Sequence, residues 1–518
     1  MLDRIRDRAA TDPAGLALAD DSNCLTWQYT AETLGRLASA LRTVAPGPDD
    51  RIAIIGENRV ETLLAHVAAI GAGVGTVAVS RQLTAGEMAD QFNDAACVAV
   101  VTGPSGFDAA AEAAAGAATT VITHNVDAPV RLPQSVAHLD WQDLISTPAA
   151  LPTDLAERPA RPPLVYTSGT TGRARGTEVR WLPGSAPNAA AFQQAVAARS
   201  GYPAGPHLVV GPLQHNGPLT SIRHLLSGEP VVVLGRFDAE RILDLISTHS
   251  VASTLMVPTH FQRLLALPAE TRLSYEVGSL RYVAHTGSAC PAEVKRAMID
   301  WFGPVLIESY GGSEIGTVCK IDSHEWLAHP SSVGRVVDPF EVVVVGSDGE
   351  VLGPGETGVL GFRTPPGREV VYHGDPEKTA KAYILPGVAT LGDVGHVDED
   401  GFVFITDRVA DMVVSGGVNL YPAESEQVLR GHPDVAEVAV IGIPDADLGE
   451  ALLALIVPRA GTAPDVEAIR VFARESMASY KCPKNYVVVD DLQRNAMGKL
   501  DKKALRRPYW DSDRTIAG

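Results

Sequence analysis

The sequence predicts an α/β protein with a large N-terminal part and a small C-terminal one, and three observations predict it. Buried-strand and helical patterns alternate through the first half of the chain. Beyond residue 341 the pattern changes to short strands separated by glycine turns, and after Arg408 a small α+β unit begins. A chain of 518 residues also exceeds one ordinary domain, at about 100–200 residues each.

The elements follow in order. Arg51 to Ile55 reads as a buried strand, residues 61–69 recur at helical spacing, and residues 76–79 return to strand. Gly71, Gly73 and Gly75 lack G-x-G-x-x-G spacing and follow a helical run instead of opening one, which predicts helix termination. The Ala-rich residues 108–120 predict a helix on the surface. Pro-rich residues 148–163 predict a connector that ends in the strand-like Leu164, Val165 and Tyr166. The βαβ rhythm resumes with strands at 208–210, 230–234 and 255–257 and a helix at 239–248. Short strands are expected at 342–345, 358–362 and 401–405. The last unit is read as a helix at 422–430, strands at 435–441 and 452–457, and a helix at 465–479, with the major boundary near Asp407.

Composition narrows the function. With 45% hydrophobic and 20% charged residues the chain has material for several cores, which excludes disorder as a whole. Its 62 acidic against 43 basic side chains give a net charge of -19. Such a surface repels phosphate backbones and anionic headgroups, and no local basic patch offsets it, so neither nucleic acid nor a membrane is an expected partner. Cys24, Cys97, Cys290, Cys319 and Cys482 are too scattered for a disulfide framework or a zinc site and suit reduced thiols. The N-terminal residues hold no apolar run of signal-peptide type, and the apolar stretch 63–79 is broken by His66 and three glycines. A cytoplasmic protein without a membrane span is the expectation.

The sharpest local feature runs from Tyr166 to Gly176. The hydroxyls of Thr167, Ser168, Thr170 and Thr171 alternate with Gly169, Gly172 and Gly176, and Arg173 and Arg175 add charge. Glycines let backbone N–H groups approach phosphate oxygens, hydroxyls donate, and guanidinium offsets charge. The run lacks the Gly-Lys-Ser/Thr ending of a Walker A loop. His324 and His329 are spaced one residue too widely for H-E-x-x-H, and no G-x-S-x-G elbow occurs.

Four further motifs follow it: residues 308–314, including Tyr310, Gly311, Gly312, Ser313 and Glu314; residues 390–393, ending in Asp393; Asp407 with Arg408; and residues 494–499, ending in Gly498 and Lys499. In order and spacing the series resembles that of the adenylate-forming (ANL) superfamily, over nearly the whole chain. Residues 294–304 and 415–422 most resemble bacterial acyl-CoA synthetases. The resemblance implies a large N-terminal adenylation domain of layered βαβ sheets over residues 1–407, with a small β-barrel at about 335–407 and a mobile α+β lid over residues 408–518. It also implies the reaction: a carboxylate attacks the α-phosphorus of ATP to give an acyl-adenylate and pyrophosphate, the lid rotates, and the thiol of CoA takes the acyl group.

The resemblance likewise implies roles. Thr167, Ser168, Gly169, Thr170, Thr171 and Gly172 form the phosphate loop, with Arg175 where the family usually has Lys and Ala174 where it often has Pro. Glu314, with Thr167, holds Mg²⁺, a hard cation suited to oxygen ligands. Tyr310 stacks on adenine, in a nucleotide site shared by Gly287, Ser288, Gly311, Gly312 and Ser313. Asp393 and Arg408 hold the ribose hydroxyls, beside Leu391 where Thr is usual. Lys499 reaches the α-phosphate and carboxylate oxygens during adenylation, where negative charge accumulates. At the hinge, Ala410 replaces the usual Asp or Lys. The acid pocket is expected between residues 213–217 and 285–289, with His215 at its gate. Gln214, Asn216, Thr286 and Ser288 make these stretches polar, which suits a small or aromatic polar acid better than a long alkyl chain. Alternatives stay open: a carrier-protein thiol or an amine as acceptor, adenylation of nitrite with an amine acceptor, or a catalytically inactive nucleotide-binding sensor or scaffold.

Overall fold

The computed structural model describes residues 2–510 apart from 118, 127–131, 135, 148–149, 168–174, 183–184, 199–200, 373, 410, 416–417, 446–447, 463 and 495–499. The chain divides into two compact units, one of residues 1–340 with 364–382, the other of residues 341–363 with 383–518.

The first unit holds two sheets. One is ordered His138–Asp140, Thr120–Thr123, Cys97–Thr102, Arg51–Ile55, Gly75–Val79, Leu164–Thr167 and Arg175–Glu178, parallel except for the last strand. The other runs Ser332–Val336, Gly316–Asp322, Leu306–Gly312, Tyr282–His285, Ser253–Met256, His207–Val209, Val231–Val233, Leu16–Ala19 and Cys24–Thr26, parallel in its middle and antiparallel at both edges. Continuous apolar runs such as residues 52–55 of the strand Arg51–Ile55, all five of whose residues are buried, are what parallel strands covered on both faces require. One core joins the two sheets, with Ile52 and Ile54 from the first, Leu18, Val209 and Val231 from the second, and helices Trp27–Val44 and Val60–Ala72. Every residue of Val60–Ala72 is buried. That helix ends on Gly73 at φ +65°, the left-handed cap expected from the glycine run.

The Ala-rich segment forms Phe107–Ala117, and burial of Ala110, Ala111, Ala113 and Ala114 corrects the expectation of a merely exposed helix. Alanine is small enough for the helix to lie close against the sheet, so its composition reflects packing on one face.

In the second unit, Glu341–Val345, Gly358–Arg363, Val388–Val397 and Phe402–Arg408 pair antiparallel in that order, with Tyr383–Leu385 also on Val388–Val397. A second sheet is ordered Val418–Leu420, Val413–Ser415, Gly449–Pro458 and Val435–Asp445, with Asn485–Val488 parallel to Gly449–Pro458. Both faces of this sheet are covered. Leu429, Val438, Val440, Ile456 and Ile469 pack on one side, and Ala439, Ile441, Leu453, Leu492 and Leu505 on the other. All five cysteines are unpaired, and among the described residues no helix is long and apolar enough to cross a membrane.

Candidate active site

Parallel strands present their C-terminal ends to ligands because loops and helix N-termini gather there. The strand Leu164–Thr167, which leads into the run expected to bind phosphate, finishes at such an end. Leu164–Thr167 lies parallel to Gly75–Val79 and pairs antiparallel with Arg175–Glu178, in the register Tyr166 to Gly176 and Thr167 to Arg175. Ser168, Gly169, Thr170, Thr171 and Gly172, as well as the side chains of Thr167 and Arg175, lie outside the described residues. The base of this hairpin is pinned by Tyr166, whose hydroxyl donates to Asp94 Oδ2 at 2.7 Å. Burial and the Asp94 carboxylate push its ionisation far above the usual phenol value. Gly176 serves packing here, because a Cβ would run into the Leu164 side chain and the Tyr166 ring.

The second element is the hairpin of Leu306–Gly312 and Gly316–Asp322. Gly311 faces Thr317 and Gly312 faces Gly316, which leaves Ser313, Glu314 and Ile315 as the tip. A Cβ on Gly311 would run into the Gly316 carbonyl, and Gly316 itself sits at φ +86°, so this turn needs both glycines. Tyr310 occupies the register position opposite Cys319, just before the irregularity that bends the strand.

Two residues absent from the motif reading hold the tip. Tyr372 donates its hydroxyl to Glu314 Oε1 at 3.2 Å, and burial together with the Glu314 carboxylate raises its ionisation well above the ordinary value. Arg368 donates from Nη2 to Ile315 O at 2.7 Å and from Nη1 to Leu182 O, lying over the Phe340 ring. Burial, helped by nearby Arg180, pushes Arg368 down to about 10, which leaves it charged at neutral pH.

Behind the hairpin lies a buried charge cluster. Lys295 Nζ is 2.6 Å from Glu308 Oε2, and His285 Nε2 is 3.8 Å from the same oxygen. Burial raises Glu308 and lowers Lys295, both toward neutrality, while their mutual attraction opposes the shift. His285 is fully buried and held neutral by burial and by Lys295. It ends the strand Tyr282–His285, which runs parallel to Leu306–Gly312. The next residue, Thr286, donates to Ser309 O at 2.6 Å, so the loop bearing Gly287 and Ser288 is stitched to the strand bearing Tyr310. Gly287 sits at φ +94° and is exposed with Ser288.

His215 precedes the short helix Asn216–Leu219 and is half-buried. Its loop is clamped by Asn58, which donates to Gly211 O at 3.1 Å and Leu234 O at 2.9 Å and accepts from Leu213 N at 3.0 Å. Trp181 Nε1 donates to Asn216 Oδ1 at 3.2 Å, and Gln214 Oε1 is buried with no hydrogen-bond partner among the described residues. Asn58 follows a strand and reads as an ordinary turn residue, so nothing local reveals the clamp.

In the second unit Asp393 and Arg408 are cross-strand neighbours, and Arg408 Nε donates to Asp393 Oδ1 at 3.1 Å. Asp393 is buried and Arg408 exposed. Asp407 accepts from Arg408 N at 2.7 Å and Ala423 N at 2.8 Å, fastening the strand to the helix Pro422–Leu429. Lys499 and Ala410 lie outside the described residues. The segment before Lys499 is joined to the one after it by the bridge of Arg494 with Leu500 and by Asp501 N donating to Gln493 O at 2.9 Å. Lys502, which reads as a surface cation, is half-buried, 2.8 Å from Glu426. Burial alone would lower its ionisation, but Glu426, Asp407 and Asp411 hold it above the ordinary lysine value.

The donor set fits Mg²⁺ in one manner. Among the described residues no group of three or more His, Cys, Asp or Glu side chains converges on a metal position. A single carboxylate such as Glu314 suits Mg²⁺ that arrives on phosphate oxygens and keeps its remaining ligands as water.

The profile of the AMP-binding enzymes matches residues 5–368, and that of the AMP-binding enzyme C-terminal domain matches residues 424–499. The chain is 32% identical to a methyl-dioxo-octahydroindenyl-propanoyl:CoA ligase of Mycobacterium tuberculosis, covering 95% of this chain and 96% of that protein. It is 30% identical to a feruloyl-CoA synthase of an Amycolatopsis species, covering 97% of each. The crystal structure of ATP-bound MatB from Rhodopseudomonas palustris superposes with a TM-score of 0.81 at 28% identity, covering 98% of each chain. With profiles spanning both its large and its small part, the chain belongs to the AMP-binding enzyme family of adenylate-forming acyl-CoA synthetases.

Proposed function

We propose that this protein is an ATP-dependent, AMP-forming ligase that joins a carboxylic acid to CoA through an acyl-adenylate. The observation that carries the reading is the Glu314 hairpin stitched beside the Gly287–Ser288 loop at the ends of adjacent parallel strands, in a chain whose near-full-length relatives are CoA ligases.

Each step has a residue whose chemistry suits it. Thr167, Ser168, Gly169, Thr170, Thr171, Gly172 and Arg175 cradle the outer phosphates, and Gly287, Ser288, Tyr310, Gly311, Gly312 and Ser313 take the adenine. Asp393 accepts from the ribose hydroxyls, and its pairing with Arg408 aims the carboxylate. Bound Mg²⁺ would be held by Glu314 with Thr167 and would offset charge on the triphosphate. His215 gates the acid pocket. Lys499 neutralises the oxygens as the acid carboxylate displaces pyrophosphate from the α-phosphorus. The lid, residues 408–518, then turns about the hinge that includes Ala410 so that the CoA thiol attacks the activated carbonyl and AMP leaves.

Pyrophosphate exchange into ATP tests the first half. It is expected with the right member of a panel of carboxylic acids that also includes nitrite. Addition of CoA should then give AMP and a thioester identifiable by mass. Exchange without any CoA-dependent thioester would move the acceptor to a carrier-protein thiol or an amine. ATP binding with no exchange for any acid would overturn the enzyme reading.

A further inference from the structure

The segment Thr364–Ala382 belongs to the first unit although the chain on both sides of it belongs to the second. It reaches two consecutive residues of the Glu314 tip from different directions. Arg368, buried and charged, holds the Ile315 carbonyl at 2.7 Å and the Leu182 carbonyl with its other terminal nitrogen. Tyr372 holds Glu314 Oε1 at 3.2 Å.

Tyr372 is itself fixed at two points. Its backbone N–H donates to Thr379 Oγ1 at 3.0 Å, and that hydroxyl donates to Asp375 O at 2.8 Å, so the short helix Pro376–Lys381 sets the tyrosine's backbone. Lys378 Nζ lies 3.9 Å from the centre of its ring, a cation–π contact that restrains the ring. A ring so restrained has one direction for its hydroxyl, and that direction is the carboxylate. Among the described residues Glu314 has no other hydrogen-bond or ion-pair partner, which leaves Oε2 for a ligand.

We propose that Tyr372 is a positioning residue for the metal-binding carboxylate: by engaging Oε1 it fixes the Glu314 rotamer and presents Oε2 to the divalent cation carried by ATP. The inference rests on the assignment of Glu314 to the metal and adds to it a second residue that acts through the first. Its physical basis is general, since a ligating carboxylate left without an outer hydrogen bond must be ordered by the metal itself, and such outer partners typically affect metal affinity by about 10–100-fold. Tyr372 touches neither substrate nor metal in this role.

The test is Mn²⁺ binding to the full-length protein with ATP, followed by electron paramagnetic resonance, with ATP affinity measured separately in the presence of a chelator. Tyr372→Phe removes the hydroxyl and keeps the ring under Lys378. Its Mn²⁺ affinity should fall about tenfold, while metal-free ATP affinity stays within about twofold, a split that general loosening of the site would not produce. Glu314→Gln should lose Mn²⁺ affinity, and adding Tyr372→Phe to it should cause no further loss, because the two act in series. Thr379→Val, which leaves the tyrosine hydroxyl and removes only its backbone anchor, should give a smaller loss in the same direction and reads the same effect if the Phe variant folds poorly. Parental Mn²⁺ affinity in Tyr372→Phe or in Thr379→Val, with the loss intact in Glu314→Gln, overturns the positioning role and spares the metal assignment. Parental Mn²⁺ affinity in Glu314→Gln overturns both.

Discussion

Lys499 and Lys502 illustrate how differently single residues can be read from sequence. Lys499 is recognisable only through Gly498 before it and the motifs upstream, since a lysine close to Lys502 and Lys503 otherwise reads as surface charge. Lys502 shows the opposite failure, for its ion pair with Glu426 depends on a partner far along the chain. Tyr372 and Arg368 were illegible for the same reason. Each acts on the tip through a bond spanning more than fifty residues, and no local spacing encodes it. At this scale Lys499→Ala should slow acyl-adenylate formation by about a hundredfold or more, the typical effect of deleting one charge-stabilising group. Thioester formation from supplied acyl-adenylate should stay near the parental rate. Measuring the two half-reactions separately checks it, and equal loss in both would contradict a lysine that withdraws after adenylation.

At the scale of elements, apolar patterning carried far. The strand at Arg51–Ile55, the helix within Val60–Ala72 and the helix Ala239–His249 were legible because period and burial agree along each of them. What patterning could not reveal is the ionic joint between the helix Ala292–Phe302 and the strand Leu306–Gly312, where Lys295 is buried against Glu308 and over the Trp326 ring at 4.6 Å. A helix with lysine on its inner face violates the pattern, and only the carboxylate across from it makes the burial tolerable. Lys295→Met should therefore cost about 3–5 kcal/mol, since it strands a buried carboxylate. Lys295→Met combined with Glu308→Gln removes both charges and should recover most of that loss. Urea unfolding of the two variants decides the matter, and a double variant no more stable than the single one would show that packing, not charge, holds this joint. The hairpin makes a simpler demand. Gly311→Ala places a methyl against the Gly316 carbonyl and should weaken ATP binding through displacement of Tyr310 and Glu314, measurable by calorimetry.

For the whole molecule, the sequence motifs showed the order of the site, while the charge state of the core required the structure. In the sequence His66 stands only as a break in an apolar stretch and His207 carries no local signal, yet each is fully buried with a hydroxyl partner, Thr76 at 2.9 Å and Ser253 at 2.9 Å. His207 also stacks on His224 at 4.0 Å. Burial lowers the ionisation of both His66 and His207 from 6.5 to about 3. Between those values the unfolded chain binds protons that the folded chain refuses, so folding stability is complete above pH 6.5 and declines as pH falls toward 3. Each histidine contributes a slope approaching about 1.4 kcal/mol per pH unit once the unfolded imidazole is protonated. Denaturant unfolding at a series of pH values should show this loss on the acid side, and His66→Asn, which cannot titrate, should flatten it by about one histidine's share. An unchanged slope in that variant would mean that His66 gains its proton without unfolding the first unit, and that the acid limit of the enzyme is set by its carboxylates instead.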